Sequence, residues 1–408
     1  MGFFADLHIH SKYSRATSPD MNIPSIARAA KVKGIKLMGT GDFTHPKWLM
    51  ELKNTLEPVE GGLFIHNDTY FILTGEVSNI FERNGVSKKV HNVIFVPDFI
   101  TAEEINKLLS NYGNLDSDGR PMLNYECDKM VRDLLKINPD IFIVPAHIWT
   151  PWFSLFGANS GFNKIEDCFG DETDNIYALE TGLSSDPPMN WLLSALDRFT
   201  LISNSDAHSV KNIGREVNYF ECALTYWDII DAMKNKKSGK LKYTVEFFPE
   251  EGKYHYDGHR KCGVRVSPKE AEATNGICPK CGKPLTRGVL HRVYDLKDRD
   301  EGFVPPDAIP CKHLIPLREI IAFVRTKDKS SVAVDNEYMQ MIKKFGSEFD
   351  ILIRVPPSEL AKHDEVIAQA IENVRKGEVE IEPGYDGVYG EIRVKLSPKI
   401  EKKQMSLF

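Results

Sequence analysis

No apolar run in the chain approaches the roughly 18 residues that a bilayer span requires, so no transmembrane helix is expected. The start, "MGFFADLHIH", lacks the basic and long apolar regions of a secretory signal. Asp6 stands where myristoylation prefers Ser or Thr. There is no internal repeat and no low-complexity tract. Cysteine is sparse and odd in number, seven in all. Cys127, Cys168, Cys222 and Cys311 are scattered, while Cys262, Cys278 and Cys281 lie close together. That distribution excludes a disulfide framework and suits a reducing cytoplasm with one metal-binding cluster. Neither a phosphate-binding P-loop nor a GxSxG elbow nor a Ser–His–Asp arrangement is present. A net charge of -6 argues against non-specific coating of nucleic acid, although a local basic groove remains compatible with it.

What is there is a soluble globular composition, 42% hydrophobic and 27% charged over 408 residues, long enough for two or three domains. The first two hundred residues alternate β-rich runs with helical stretches. "IKLMGTGD", "YFILTGEV", "KVHNVIFVP", "DIFIVPAH", "IYALETGL" and "TLISNSDAH" read as strands ending in polar residues. "SIARAAKVKG" and "CDKMVRDLLKIN" read as helices, and "TAEEINKLLSNYG" as a helix opening on a capping box at Thr101 and Glu104. Such alternation predicts an α/β layer or barrel with a parallel sheet, its working residues outside the carboxyl ends of the strands. "KNKKSGKLK" reads as a linker or solvated face. A His, Cys, Gly and basic stretch follows, then helices of a smaller C-terminal domain. The expected layout is 1–235, 250–300 and 301–398, with a separate tail at 402–408.

The strand ends carry the chemistry. "ADLHIHS" supplies His8 and His10, "GTGDFTHP" supplies Asp42 and His45, and "LTGEVS" supplies Glu76. "KVHNV" adds His91, "VPAHIW" His147, and "SNSDAHS" Asp206 and His208. Imidazoles and carboxylates gathered in this number are ligands for zinc, manganese or iron; without an ion they would repel or demand costly pairing. Two ions a few ångström apart activate water and clamp the oxygens of an in-line displacement at phosphorus. The expected activity is metal-dependent phosphoester hydrolysis by an activated hydroxide.

The same stretches resemble the successive motifs of the polymerase-and-histidinol-phosphatase (PHP) domain. That resemblance implies a distorted β/α barrel with two or three divalent ions, zinc, manganese or magnesium. By it, His8, His10, Glu76 and Asp206 hold one ion, and Glu76 shares a second with His91 and His147. A third would draw on His208. The sequence departs from the pattern in "SKYSRAT", which lacks a further histidine, and at Phe43, where a histidine is usual; His45 could stand in.

A second constellation is His259-x2-Cys262 and Cys278-x2-Cys281, fifteen residues apart, which fits a closed tetrahedral zinc site of the structural kind. His255 is a rival to His259 for the fourth place. Arg260, Lys261, Lys280, Lys283, Arg287 and Arg292 surround it and suit phosphate contact.

PHP motifs followed by this finger and a helical end resemble endonuclease Q. Membership implies a DNA repair enzyme acting on double- or single-stranded DNA that carries uracil, hypoxanthine, xanthine or abasic sites. It implies incision on the 5′ side of the lesion, leaving 3′-hydroxyl and 5′-phosphate ends. A base read in this way is flipped from the stack, and Trp149, Trp152, Phe153 and Asn159 in the loop after His147 are candidates to receive it, with Lys211 and Arg215 as further DNA contacts. The terminal "QMSLF" resembles the bacterial sliding-clamp pentapeptide, with Gln404, Leu407 and Phe408 as anchors. No membrane partner is expected. Two rivals stand beside this reading: a histidinol-phosphatase-like small-molecule phosphatase and a non-catalytic DNA-binding adaptor.

Overall fold

A computed structural model of the chain describes residues 2–396; the clamp-like tail, Gln404 to Phe408, lies outside the described residues. The strands in chain order are β1 (Phe3–Asp6), β2 (Ile35–Gly39), β3 (Glu57–Val59), β4 (Leu63–His66), β5 (Thr69–Arg83), β6 (Val86–Val96), β7 (Met122–Leu123) and β8 (Phe142–Pro145). They are followed by β9 (Ala178–Glu180), β10 (Thr200–Ile202), β11 (Val217–Phe220), β12 (Leu241–Glu246), β13 (Asp257–His259), β14 (Val264–Val266), β15 (Cys311–His313), β16 (Val379–Glu382) and β17 (Glu391–Val394).

The main sheet runs β15-β12-β11-β1-β2-β5-β4-β3, with β6 and β7 also on β5 and β8 on β6. The α/β class is as expected, but the sheet is mixed rather than parallel. β1, β2 and β5 run parallel, whereas β5–β6, β6–β8 and β1–β11 are antiparallel. The reason is local. Asn84 (φ +54°) and Gly85 (φ +73°) form a two-residue turn between β5 and β6, and Asn-Gly is the pair that tolerates two left-handed residues in a tight hairpin. β9 and β10 form a separate parallel pair beside β8.

Helices cover the sheet. Ile23–Lys33 is capped by the Asn22 side chain on Ser25 N, closes on left-handed Gly34, and buries Ile23, Ile26, Ala27 and Ala30. The helix Phe99–Leu109 begins ahead of the expected capping box: Asp98 is its cap, accepting from Thr101 N at 2.7 Å. The basic stretch near 235 is a short turn leading into β12, which joins the sheet beside β11. β15 then pairs in parallel with β12, so the segment holding the finger leaves from, and returns to, one edge of the main sheet. Helices Leu317–Arg325, Val332–Phe345 and Glu365–Arg375 share one buried apolar cluster with the barrel, running from Phe4 to Val394. The β16–β17 hairpin brings its loop back to the finger: Tyr256 N donates to Gly384 O, Gly387 N to Lys253 O, and Arg260 N to Asp386.

Candidate metal centre

β1 ends at Asp6, and the next residues form a parallel bridge, Ile9 to Ala207, with His10 N donating to Ala207 O at 3.0 Å. The His-x-His and Asp-x-His segments therefore lie side by side. Glu76 stands in β5 opposite Val93 of β6, with His91 two pairs further along, and His147 follows β8. Its two oxygens divide their neighbours. Oε1 is 2.7 Å from His91 Nδ1 and 3.0 Å from His147 Nε2; Oε2 is 3.1 Å from His10 Nε2 and 3.5 Å from His8 Nε2. Asp206 Oδ1 closes the second set at 3.1 Å from His10 Nε2. Two ligand groups result, His8–His10–Glu76–Asp206 and Glu76–His91–His147, each with donor atoms within 4.8 Å of one another.

The donors suit divalent ions. His8 Nε2, His10 Nε2 and Asp206 Oδ1 are buried and make no hydrogen bond, although Asp206 Oδ1 lies 3.9 Å from the first and 3.1 Å from the second. Buried polar atoms are normally satisfied, so atoms that face a common point without bonding one another have the arrangement of metal ligands. Behind them, second partners fix the rings. Glu180 Oε2 lies 3.0 Å from His8 Nδ1, and Glu180 also accepts from Asn204 Nδ2 and His147 N. Asp42 Oδ1 lies 2.9 Å from His10 Nδ1, its other oxygen taking bonds from Ser11 and Ser14. His147 (φ +33°) and Asp206 (φ +46°) hold left-handed backbone, a strain of about 1–3 kcal/mol each that clusters at functional sites. Gly182 lies so close to His147 that a side chain there would collide with its Cβ.

The electrostatics follow from burial and proximity. Burial opposes charge on His8 and His10, yet Glu180 and Glu76 hold the first, and Asp42 and Asp206 the second, well above the ordinary imidazole pKa. His91 goes the other way, pushed by burial down to about 4 despite Glu76. Glu76 is held well below the carboxylate range: burial opposes this, but His91 and Arg120 outweigh it.

The structure sorts the remaining expected residues. Asp42 stands behind His10 and outside both ligand groups. His45 is buried, stacks on Tyr13 at 4.5 Å and joins neither group. The His208 ring lies tilted against His10 at 4.4 Å, with its Nδ1 2.9 Å from Asp206 O, and joins neither ligand group. Trp149 cannot stack on a base: it is 1% exposed, bonded to Asn190 and packed on Phe156. Phe153 packs on His91, while Asn159 is exposed and outside the lining of the adjoining cavity. Trp152 is 46% exposed and meets Tyr254 edge-on. Lys211 and Arg215 line the cavity. At the finger, His259, Cys262, Cys278 and Cys281 converge within 4.8 Å, whereas His255 is buried elsewhere against Tyr256.

Two site residues escape a reading of the sequence. Glu180 ends β9 in "IYALETGL" and repeats the strand-end acid pattern of Glu76, so a signal for it existed. Arg120, whose Nη1 lies 3.2 Å from Glu76 Oε2, sits in a polar loop without any motif.

Fold and site together define a metal-dependent phosphoesterase of the PHP type. The lesion-specific endonuclease PfuEndoQ from Pyrococcus furiosus is 35% identical, superposes with a TM-score of 0.88, and is matched over 100% of this chain and 99% of its own. An endonuclease Q crystallised with a 27-mer duplex substrate bearing an abasic lesion at its active site is 36% identical over 98% of each chain, TM-score 0.86. The uncharacterized protein MJ0043 of Methanocaldococcus jannaschii is 35% identical over 60% of this chain, which spans only 31% of that relative's length. Residues 316–378 match the MJ0043 C-terminal domain family. The chain belongs to the endonuclease Q family.

Proposed function

We propose that this protein is a DNA repair endonuclease that hydrolyses the phosphodiester 5′ to deaminated bases (uracil, hypoxanthine, xanthine) and to abasic sites, leaving 3′-hydroxyl and 5′-phosphate ends. The observation that carries the reading is the continuity between ligands and cavity. The loops after His147, Gly182 and Asp206 run directly into the walls of a cavity of about 970 Å³, closed on its other sides by residues 247–255, 316–330 and 389–390. Its lining includes Lys211, Arg215, Lys253, Arg318 and Lys329, a cationic surface suited to a backbone polyanion. A small phosphorylated metabolite needs no such space; a nucleotide drawn out of a duplex does. Trp152 and Tyr254 offer aromatic faces. Burial pushes the His255 pKa down to about 4, so the ring that borders the cavity is a neutral, largely buried imidazole. The likeness to an endonuclease Q seen with an abasic duplex supports the same reading.

Two divalent ions, zinc, manganese or magnesium, would supply an activated water and charge neutralisation at the phosphate, with a third drawing on His208. The chain's own part is orientation. Glu180 and Asp42 hold His8 and His10 with Nε2 inward, and Glu76 presents one oxygen to each group. A single zinc in the His259–Cys281 quartet is structural.

The test uses labelled duplexes with one uracil, hypoxanthine or abasic site, incubated with manganese or with chelator. Metal-dependent incision 5′ to the lesion is expected. Turnover of histidinol phosphate without incision, or binding without turnover, would overturn it. We further propose that the terminal Gln404–Phe408 peptide docks on a sliding clamp. Its deletion should abolish co-migration with the clamp and leave incision of short duplexes unchanged; unchanged co-migration would refute it.

A further inference from the structure

The loop between the helix ending at Leu109 and β7 is polar and irregular, yet it is pinned on several sides. Asp118 Oδ1 accepts from Arg15 N and Arg120 N at 3.2 Å. Gly119 N donates to Tyr13 O, Thr44 Oγ1 to Gly119 O, and Ser78 N to Pro121 O. Gly119 is pressed so close to Asp42 and Ser14 that a Cβ would overlap both side chains. What this anchoring delivers is one side chain. Arg120 Nη1 reaches Glu76 Oε2 at 3.2 Å. Among the described residues no other lysine or arginine lies within 4.0 Å of a ligand carboxylate. The Arg120 side chain is 29% exposed, so the loop does not seal it from solvent.

Four carboxylates stand at the site: Glu76 and Asp206 among the ligands, and Glu180 and Asp42 against the ligand histidines His8 and His10. Their four charges would offset those of two divalent ions, and Arg120 adds a positive charge beyond that balance. Like charges packed together in partly dry surroundings are unfavourable unless an anion joins them. An arginine fork is matched to phosphate oxygens, which it binds by parallel hydrogen bonds. A purely structural role, neutralising Glu76, would need neither a part-exposed side chain nor a loop fixed from several sides.

We propose that Arg120 is a catalytic residue that binds a non-bridging oxygen of the scissile phosphate and stabilises the charge developing there during hydrolysis. The proposal deepens the phosphodiesterase reading and rests on it for its substrate. It does not depend on which lesion is cut.

The test compares the full metal-loaded chain with Arg120→Ala, Arg120→Lys and Arg120→Met in three measurements. Single-turnover incision of a uracil duplex by Arg120→Ala should fall about a hundredfold or more, the scale on which one charge-stabilising donor acts, while duplex affinity changes little. Free guanidinium should recover part of the loss in Arg120→Ala, and Arg120→Lys should be intermediate. Inorganic phosphate should bind the wild-type chain and bind Arg120→Ala more weakly, with the same metal content per chain in both. Phosphate binding needs no DNA cleavage, so it speaks for Arg120 even if the wild-type chain incises no lesion. Wild-type rates or phosphate affinity in Arg120→Met would overturn the proposal. So would a loss of activity explained by lost metal and not rescued by guanidinium. Should Arg120→Ala fail to fold, Arg120→Lys and Arg120→Met carry the comparison.

Discussion

Glu246 ends β12 and is fully buried beside Glu216; both are bonded to Ser203 Oγ, at 2.9 and 3.0 Å. Thr181 and Thr244 hydroxyls also donate to it, and His313 and Asp186 exert opposing fields. Burial dominates and lifts its pKa to about 7; Glu216 is lifted too, by burial and then by Glu246. A carboxyl raised from 4.5 binds its proton more tightly folded than unfolded. Its contribution is therefore fully present at low pH and is lost as pH climbs from the unfolded value to about 7, a cost of about 3 kcal/mol above that window. Glu246→Gln should raise the unfolding temperature near pH 8 and flatten its fall between about pH 5 and pH 8. Thermal unfolding across that range measures it, and an unchanged slope would refute the assignment. The same contrast explains what sequence showed at this scale. His8, His10, Glu76, His147 and Asp206 announce themselves through short repeats at strand ends. Glu246 and Glu216 sit in ordinary β-rich text, and only the fold reveals that the two acids share one hydroxyl.

At the scale of elements, alternation of strand and helix was legible, but direction was not. The Asn84-Gly85 pair already encodes an antiparallel turn, and reading each strand as the start of a crossover hides it. Helix starts depend on which side chain reaches which amide, so Asp98, not Thr101, proved to be the cap. The finger carries the quartet proposed above as a zinc site, and its fold would lean on that ion. β13 and β14 pair over only three residues each, and Cys281 is exposed. So small a unit buries too little apolar surface to hold alone. Cys281→Ser should release the zinc and open residues 255–292 to limited proteolysis, while the unfolding transition of the barrel stays where it was. Zinc content by mass spectrometry and the sites of cleavage decide this; a variant that keeps its zinc and resists protease would show that the quartet is not the binding site.

The whole molecule is where sequence reading ran out. The glycines of "EPGYDGVYGEI" follow no phosphate-loop spacing, and their use appears only when the β16–β17 loop lies against residues 250–260, some 130 positions earlier. The cavity beside the ligands exists only because three distant stretches close around it, and none of them forms it alone. Its cations can be tested as a set. Lys211 lies on the barrel side and Lys253 on the finger side, both exposed and both in the lining. If a duplex lies across the mouth, each neutralises one backbone phosphate and releases one counterion. Replacing both with alanine should lower the slope of log affinity against log salt by about 1.8, weakening lesion-bearing and undamaged duplexes alike. Hydrolysis of a small diester such as bis(p-nitrophenyl) phosphate should not change, since neither lysine touches the ligand groups. A salt slope equal to that of the wild-type chain would mean that DNA approaches the ligands by another face, and the cavity would then lose its claim as the substrate's seat.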